Sequence, residues 1–530
     1  MESLSFDPDA QSGLVAFLEH ELGSAGPCKR IDTHAASIFI AGERAWKLKR
    51  AVRYPYLDFS TPSLRRAALE AELRLNRRTA PNLYLNVHPI VRTPSGFQIG
   101  GDGEPVDWLL EMRRFGDDAR LDIVAQKHGL DEQLLICLAD RVHSFHEAAR
   151  PVIRSQGAED IRQVIDGNAV SFAPFERLFG RPRISKLIEN QHNLCAHHKG
   201  LLDTRARDGR VRRAHGDLHL ANIALIDGEA VPFDCLEFNE DLATIDILYD
   251  LAFLLMDLWH RGLRSGANLV FNRYIDVSGD EEGVRLLQLF LSLRATVRAH
   301  VLASTAERTG RKEDVAEALQ FLDLAEAVLE PGTVALVGIG GLSGSGKSAV
   351  AKAIAADFGG APGARILRTD ILRKRIAGVA PETKLPESFY TPLANRTVYG
   401  LLTNRARRNL AAGIFTIADA VFSDPDERTR IARIADHERV PFVGCWLETS
   451  EANRLARVSD RPKDPSDADE KIVKIQSARR TLSPPDWHRI AADASLAVVA
   501  ECTSKRINQA LNNDTPTKMS PNAGRPVRVK

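Results

Sequence analysis

Residues 333–348 read TVALVGIGGLSGSGKS, and this stretch decides the fold of the C-terminal part of the chain. Its first nine residues form a near-continuous apolar run, as expected of a strand buried on both faces of a parallel sheet. Gly341 to Ser348 then satisfies the spacing GxxxxGK[ST] at every defined position. The glycines let the backbone turn tightly and aim its N–H groups at phosphate oxygens. The following AVAKAIAADF reads as a helix whose positive end faces the loop. Gly341, Ser343, Gly344, Ser345 and Gly346 are therefore expected to form a phosphate cradle. Lys347 is expected to reach the terminal phosphates of a nucleotide, and the Ser348 hydroxyl to bind Mg2+.

Working outward, further apolar runs at 365–368, 414–419, 441–447 and about 496–500 alternate with helical segments. That alternation predicts an α/β unit over 333–502 with a parallel sheet and right-handed crossovers. Asp419 closes the run IFTIAD, where a carboxylate holding the metal or its water shell belongs. Asp370 follows RILRT, where a base could face an acceptor hydroxyl. Either could instead cap a helix. Arg454, Arg457 and Arg461 lie before and within RPKDPSDAD, a pattern suited either to a mobile lid carrying guanidinium groups to a phosphoryl group or to a solvated basic face. The residues 503–530 read as a disordered tail.

The N-terminal part uses a different pattern. SIFIAGERAWKLK, from Ser37 to Lys49, reads as two strands joined at Ala41-Gly42-Glu43. A helix with a Thr/Ser cap follows from Ser63, then the strand-like LYLNVHPIV and VDWLLEMRRF. Residues from about 116 to 328 are mostly helical. They are interrupted by RAHGDLHLANIALIDGEAVPFDCLEF, in which a hairpin can return Asp234 beside Asn222. Asp217 then offers a carboxylate to orient an acceptor hydroxyl and take its proton. Asn222 and Asp234 offer the oxygen donors that a hard cation prefers. The sequence thus predicts an α+β domain over 1–328, with a small lobe at about 30–115 and a helical lobe beyond it.

The motifs LRTDILRKRIAG, ADAVF and RPKDPSDAD resemble the small P-loop kinases of the nucleoside, gluconate and zeta-toxin type. That resemblance covers 334–500 and implies that Asp370 and Arg373 face an acceptor and that Arg454 and Arg457 belong to a lid. HGDxHxxN followed by FDxxEF resembles the aminoglycoside phosphotransferase and choline kinase branch of the protein-kinase-like fold, over about residues 30–300. It implies that Asp217 is the catalytic base and that Asn222 and Asp234 bind the metal. It also implies that a strand lysine holds the α/β-phosphates of ATP and pairs with a helix glutamate. Lys47 is preferred over Lys49, and Glu72 over Glu70; the two lysines point the same way at strand period two. No GxGxxG loop precedes Lys47, which leaves open a regulatory rather than catalytic N-terminal lobe. Glu237, Asp246 and Asp250 are expected to buttress the catalytic loop. With LRLNRR and AWKLK, nearly the whole chain, to residue 500, resembles a bacterial group in which an aminoglycoside-phosphotransferase-like unit is fused to an ATP-binding one.

Bulk composition bounds the rest. At 530 residues more than one core is required. A net charge of +1 gives no argument for a nucleic-acid or anionic-membrane partner, and none is expected. The six cysteines include no CxxC pair, which fits a reducing compartment. No signal peptide or membrane span is read, so a cytoplasmic location is expected. His192, Cys195, His197 and His198 fit no standard zinc spacing. The expectation is a bifunctional ATP- and Mg2+-dependent phosphotransferase acting on hydroxyls of small molecules. The alternatives are a P-loop kinase with a regulatory kinase-like lobe, or a nucleotide-switched interaction module.

Overall fold

The computed structural model describes residues 11–24, 26–33, 35–54, 57–237, 240–460, 464–478 and 484–513. It divides into two compact units, Met1–Gly262 with Leu289–Glu326, and Leu263–Gln288 with Ala327–Lys530.

The first unit opens with a six-stranded antiparallel sheet. Its spatial order is Cys28–Asp32, Ala36–Ala41, Arg44–Lys49, Pro105–Arg113, Tyr84–Thr93, Gly96–Ile99. Helix Ser12–Gly23 closes one face, where Leu14 and Leu18 meet Phe39, Leu48, Ile90 and Leu109. Helix Pro62–Asn76, capped by the Thr61 side chain on Leu64 N, covers the other, with Leu69 against Tyr84 and Leu110. Strand alternation turns Trp46 and Leu48 toward the first helix and Lys47 and Lys49 toward the second. The remainder of the unit is a helical lobe. It is interrupted by the hairpin Ile223–Ile226/Glu229–Pro232, whose two-residue turn sets both Asp227 and Gly228 at positive φ.

The second unit is a five-stranded, fully parallel sheet. Its order is Arg365–Arg368, Thr416–Asp419, Leu336–Gly340, Phe442–Glu448, His488–Ala491. Both faces are buried. Val350 and Ile354 pack with Ile366, Ile417 and Val443 on one face; Val398, Leu402 and Ile431 pack with Leu336, Leu367 and Ala418 on the other. Gly338, Gly340 and Gly444 give room to the Trp487 indole, which a Cβ at any of them would meet at 2.8 Å or less.

Three expectations change. Residues 496–500 are not a strand; they open helix Leu496–Asn513, because Val499, Thr503 and Ile507 fall on one buried helical face. The same helix carries order through 503–513, where a tail was expected; residues 514–530 lie outside the described residues. The fifth strand is His488–Ala491 instead.

The linear division at 328/333 also gives way. Helix Arg264–Ser278 belongs with the parallel sheet, because it satisfies the sheet's edge strand. Asn272 Oδ1 accepts from Ile366 N and Arg365 Nη1, each at 2.8 Å, and Asn268 Nδ2 donates to Pro362 O and Ala364 O at 3.0 and 2.9 Å. Arg365 is fully buried and pairs with Asp276 at 2.7 Å and Glu281 at 2.6 Å. Among the described residues one helix, Glu282–Thr309, could cross a membrane by length and composition alone, but 72% of its most apolar window is buried within the protein.

Asn272→Ala would leave the Ile366 N–H and part of the Arg365 guanidinium buried without partners. It is expected to destabilise the second unit by about 3 kcal/mol, read as a lowered denaturation midpoint at unchanged slope.

Candidate active sites

In the first unit five charged side chains converge. Glu72 is wholly buried and takes Lys47 Nζ at 2.5 Å on one oxygen and Lys49 Nζ at 2.6 Å on the other. Lys47 also reaches Asp234 Oδ1 at 2.9 Å, and Lys49 reaches Glu237 Oε1 at 2.5 Å. Burial alone would raise the Glu72 carboxyl, but the two ammonium groups hold it below its ordinary value, to about 2. Lys47 stays charged because Asp234 and Glu72 outweigh its burial. Glu70 points away, paired with Arg66 at 2.8 Å on the exposed face. Of the two lysines, Lys47 is the one beside Asp234.

Asp234 is held in the left-handed region at φ +60, its N–H donating to the Tyr84 hydroxyl at 3.0 Å. Its neighbour Cys235 donates N–H to Asn76 Oδ1 at 2.8 Å. The hairpin ladder closes with Phe233 N on Asn222 O at 2.9 Å, so Asn222 lies across the ladder from the residue preceding Asp234. Asn222 Nδ2 donates to Asp217 Oδ2 at 2.7 Å and to Asp217 O at 3.0 Å, which turns the amide oxygen away from Asp217. Burial opposes ionisation of Asp217, yet His219, 3.3 Å away, leads the groups that hold its carboxyl far below the usual range.

The loop carrying Asp217 is gripped from behind. His215 N and Gly216 N donate to the two oxygens of Asp250 at 3.1 and 2.8 Å. His146 Nε2 donates to Asp250 at 3.0 Å, and Leu220 N donates to Asp257 at 2.9 Å. Asp250 and Asp257 are two turns apart on helix Ile247–His260. Arg294 adds bonds to Tyr249 O and Gly216 O at 3.1 and 3.2 Å. His215 donates Nε2–H to Phe233 O at 3.0 Å and accepts Asp217 N–H on Nδ1, and its burial lowers its pKa, so it is a neutral strut. Asp246 caps the helix through Leu248 N and pairs with Arg205.

In the second unit Gly341–Ser348 leaves the central strand and enters helix Lys347–Ala355, with Gly341, Gly344 and Gly346 at positive φ. A Cβ on Gly344 would lie 2.6 Å from Arg454 O. Ser348 Oγ donates to Asp419 Oδ2 at 2.5 Å, joining the two proposed metal donors. Lys347 Nζ donates to Leu342 O at 3.1 Å. Ser343 N–H is taken by Gln476 Oε1 at 2.8 Å, from helix Glu470–Ala478. Asp370 stands in the first turn of helix Thr369–Ile376; burial raises its pKa, with Arg368 opposing.

The arginines divide. Arg373 donates to Phe389 O at 2.6 Å and Asn395 Oδ1 at 2.8 Å. Arg454 is buried against Ser477. Arg457 donates to Ser345 O at 3.3 Å and Ala492 O at 2.8 Å, and its Nη1 would lie 3.4 Å from a Cβ on Gly346, so it stands against the loop itself. Arg461 lies outside the described residues. Sequence reading passed over Arg368, which reaches Asp419 at 3.4 Å and Asp464 at 3.2 Å, and Gln476, whose only signal was its place just beyond the lid motif. His192 pairs with Asp166, and Cys195 bonds Ala158 O. Among the described residues no group of three or more His, Cys, Asp or Glu is arranged to hold a metal.

A family model described as "AAA domain" matches residues 336–483. The uncharacterized proteins Rv2004c of Mycobacterium tuberculosis and Mb2027c of Mycobacterium bovis are each 30% identical over 470 residues, spanning 87% of this chain and 91% of their own length. The chain belongs to the family of these mycobacterial proteins. Among solved structures, a gluconokinase from Sinorhizobium meliloti is 20% identical and covers 34% of this chain and 95% of its own, at a TM-score of 0.26. Aminoglycoside 2'-phosphotransferase-IIIa, solved with GDP, is 14% identical and covers 60% and 99%, at 0.38. A choline/ethanolamine kinase family protein from Mesorhizobium loti is 13% identical and covers 58% and 90%, at 0.36.

Glu72→Gln leaves two buried lysines short of an anion and is expected to cost about 3–5 kcal/mol at neutral pH. Because the folded carboxyl titrates at about 2 rather than its ordinary 4.5, its stabilisation is full above that ordinary value and is lost as pH falls toward 2. Unfolding monitored from pH 7 down to 2 should therefore show a shallower acid limb in the variant than in the wild type.

Proposed function

We propose that the chain is an ATP-dependent phosphotransferase with two separate sites, each moving the γ-phosphoryl group to a hydroxyl of a small molecule. The observation that carries this reading is the pair of contact runs Glu72–Lys47–Asp234 and Asn222–Asp217, brought together by the backbone bond from Phe233 N, next to Asp234, to Asn222 O. It combines a charged lysine, two oxygen donors and an ionised carboxylate, as phosphoryl transfer needs.

The donor chemistry fits a hard cation held between protein and phosphates. Asp234 and the free amide oxygen of Asn222 would hold it in the first unit, and Ser348 and Asp419 in the second. Mg2+ normally binds few carboxylates and completes its shell with phosphate oxygens and water, which suits so sparse a protein donor set. When bound, it would neutralise charge developing on the transferred group. Lys47, fixed by Glu72, would bind phosphate oxygens in place of its contact with Asp234. Asp217, kept ionised, accepts the hydrogen bond of the incoming hydroxyl and orients it, taking the proton late. Asn222 Nδ2 fixes which oxygen of Asp217 remains open. In the second unit the backbone amides of 343–348 would cradle the phosphates, with Asp370 facing the acceptor; its raised pKa brings it nearer the range of a general base.

One observation favours a second reading. The turn before Lys47 is only Gly42-Glu43, since Ala41 pairs directly with Arg44. So short a turn covers little of a triphosphate, which suits a first unit that binds nucleotide without turnover.

Full-length protein supplied with labelled ATP and pooled metabolites separates the two. Asp217→Ala and Lys347→Ala should each abolish a different labelled product, by about 10²-fold or more. If every product depends on Lys347 and none on Asp217, the second reading stands. Nucleotide at the loop must compete with Gln476 for Ser343 N–H. Gln476→Ala is therefore expected to bind ATP about fivefold more tightly in a Lys47→Ala background, one net hydrogen bond's worth, by fluorescence titration.

A further inference from the structure

Arg298 stands out in the first unit by what it does not touch. It lies on helix Leu287–Thr309, one turn beyond Arg294, whose guanidinium bonds Gly216 O beside the catalytic aspartate. Other arginines around this loop have bonded partners, although Arg294 Nη2 is buried with no hydrogen-bond partner. Arg294 has two carbonyls, Arg261 pairs with Asp257 at 3.0 Å, Arg205 pairs with Asp246 at 2.6 Å, and Arg212 donates to the carbonyls of Gly209, His146, Glu147 and Ala149. Arg298 is half-buried and forms no hydrogen bond or ion pair among the described residues. Among the described residues its guanidinium stands over the buried Phe321 ring, 5.5 Å from Cζ to centroid, on which His260 also stacks at 3.7 Å. Two carboxylates lie by that aromatic shelf: Glu317, 3.8 Å from His260 and half exposed, and Asp257, which acts on His260 and is paired with Arg261. The field of Arg298 reaches Asp217, where it helps keep the carboxylate ionised.

A half-exposed guanidinium with no bonded anion among the described residues is open to an anionic group of a ligand, and its field reaches the carboxylate assigned to the acceptor hydroxyl. We propose that Arg298 binds an anionic group of the acceptor, so that the substrate of the first site is a hydroxyl compound carrying a carboxylate or phosphate. The rigid fork of Arg298 grips two oxygens of that group, and the Phe321–His260 stack holds the fork in place. A polycationic acceptor would meet the unneutralised charge of Arg298 and be repelled. This inference rests on the assignment of Asp217 as the carboxylate that orients the acceptor.

The test uses full-length protein carrying Lys347→Ala, so that label transfer reports the first site alone. Hydroxycarboxylates, sugar phosphates, neutral polyols and an aminoglycoside are offered as acceptors. Binding of glycerate, glycerol 3-phosphate and spermidine is followed in parallel by thermal stabilisation. Transfer confined to anionic acceptors is expected, with Arg298→Ala raising KM roughly tenfold or more, kcat changing far less, and Arg298→Lys recovering part of the loss. Stabilisation by glycerate or glycerol 3-phosphate should vanish in Arg298→Ala. Best transfer to the aminoglycoside or a neutral polyol overturns the inference, as does an unchanged KM. So does wild-type protein that neither anion stabilises. Those results leave the phosphotransferase reading intact, whereas loss of ATP binding at the first site, with Lys47→Ala no different from its parent, removes that reading itself.

Discussion

The first unit depends on the burial of Glu72. A carboxylate with no exposure survives only if paired, and two lysines two residues apart on one strand pair with its two oxygens. Those lysines in turn draw Glu237 and Asp234 out of the loop that follows the hairpin. The cluster then holds three carboxylates against two ammonium groups. Burial raises the Glu237 carboxyl above its ordinary value, with Lys49 opposing and Glu72 adding to it, while Asp234, its side chain 43% exposed, is the most open of the five. A cation arriving from solvent would therefore meet the cluster at Asp234.

The strand and helix that carry the cluster belong to the small lobe; the loop that carries Asp217, Asn222 and Asp234 belongs to the helical lobe. Precision in that loop comes from groups behind it. Asp250 takes two consecutive amides and a histidine, a set of donors that only a fixed backbone can present together. Gly216 at φ +86 is part of the same constraint, since a Cβ there would meet Ala243 Cβ at 2.8 Å. The second unit reaches a phosphate cradle by another route, from backbone amides braced by Arg457 on Ser345 O.

That difference explains what could be read from the sequence. A loop built from backbone has a strict glycine spacing, so Gly341–Ser348 and the sheet around it were plain in the letters. A site built from side chains leaves its trace in short motifs, and HGDxHxxN with FDxxEF located Asp217, Asn222 and Asp234. The partner of Lys47 was less plain, because Glu70 and Glu72 lie on one helix and only their burial separates them. Asp250 was legible as a buttress of the loop, whereas Asp257, seven residues further along the same apolar helix ILYDLAFLLMDLWH, was passed over. The supports supplied from afar, Arg294 on Gly216 O and Gln476 on Ser343 N, carry no local pattern. The strand expected at 496–500 failed because SLAVV is apolar and β-branched in the strand manner, while its burial follows Val499, Thr503 and Ile507 at helical spacing.

Helix Arg264–Ser278 was hidden for a different reason. Asn268 and Asn272 are four apart and look like ordinary polar positions, yet their amides stand in for a missing sixth strand along Ala364–Ile366. An edge strand left open invites pairing with another chain, and side-chain amides offer the donors and acceptors a strand would have offered. The chain that supplies them leaves the first unit after helix Ile247–His260, which grips the Asp217 loop through Asp250 and Asp257. It returns along helix Leu287–Thr309, which grips the same loop through Arg294. Neither unit is therefore a contiguous piece of sequence. A cut after Glu326 would leave the first unit all of its residues but would take helix Arg264–Ser278, and with it the amides on Ala364–Ile366, from the second, so the edge of the parallel sheet depends on a segment inserted in the sequence of the first unit.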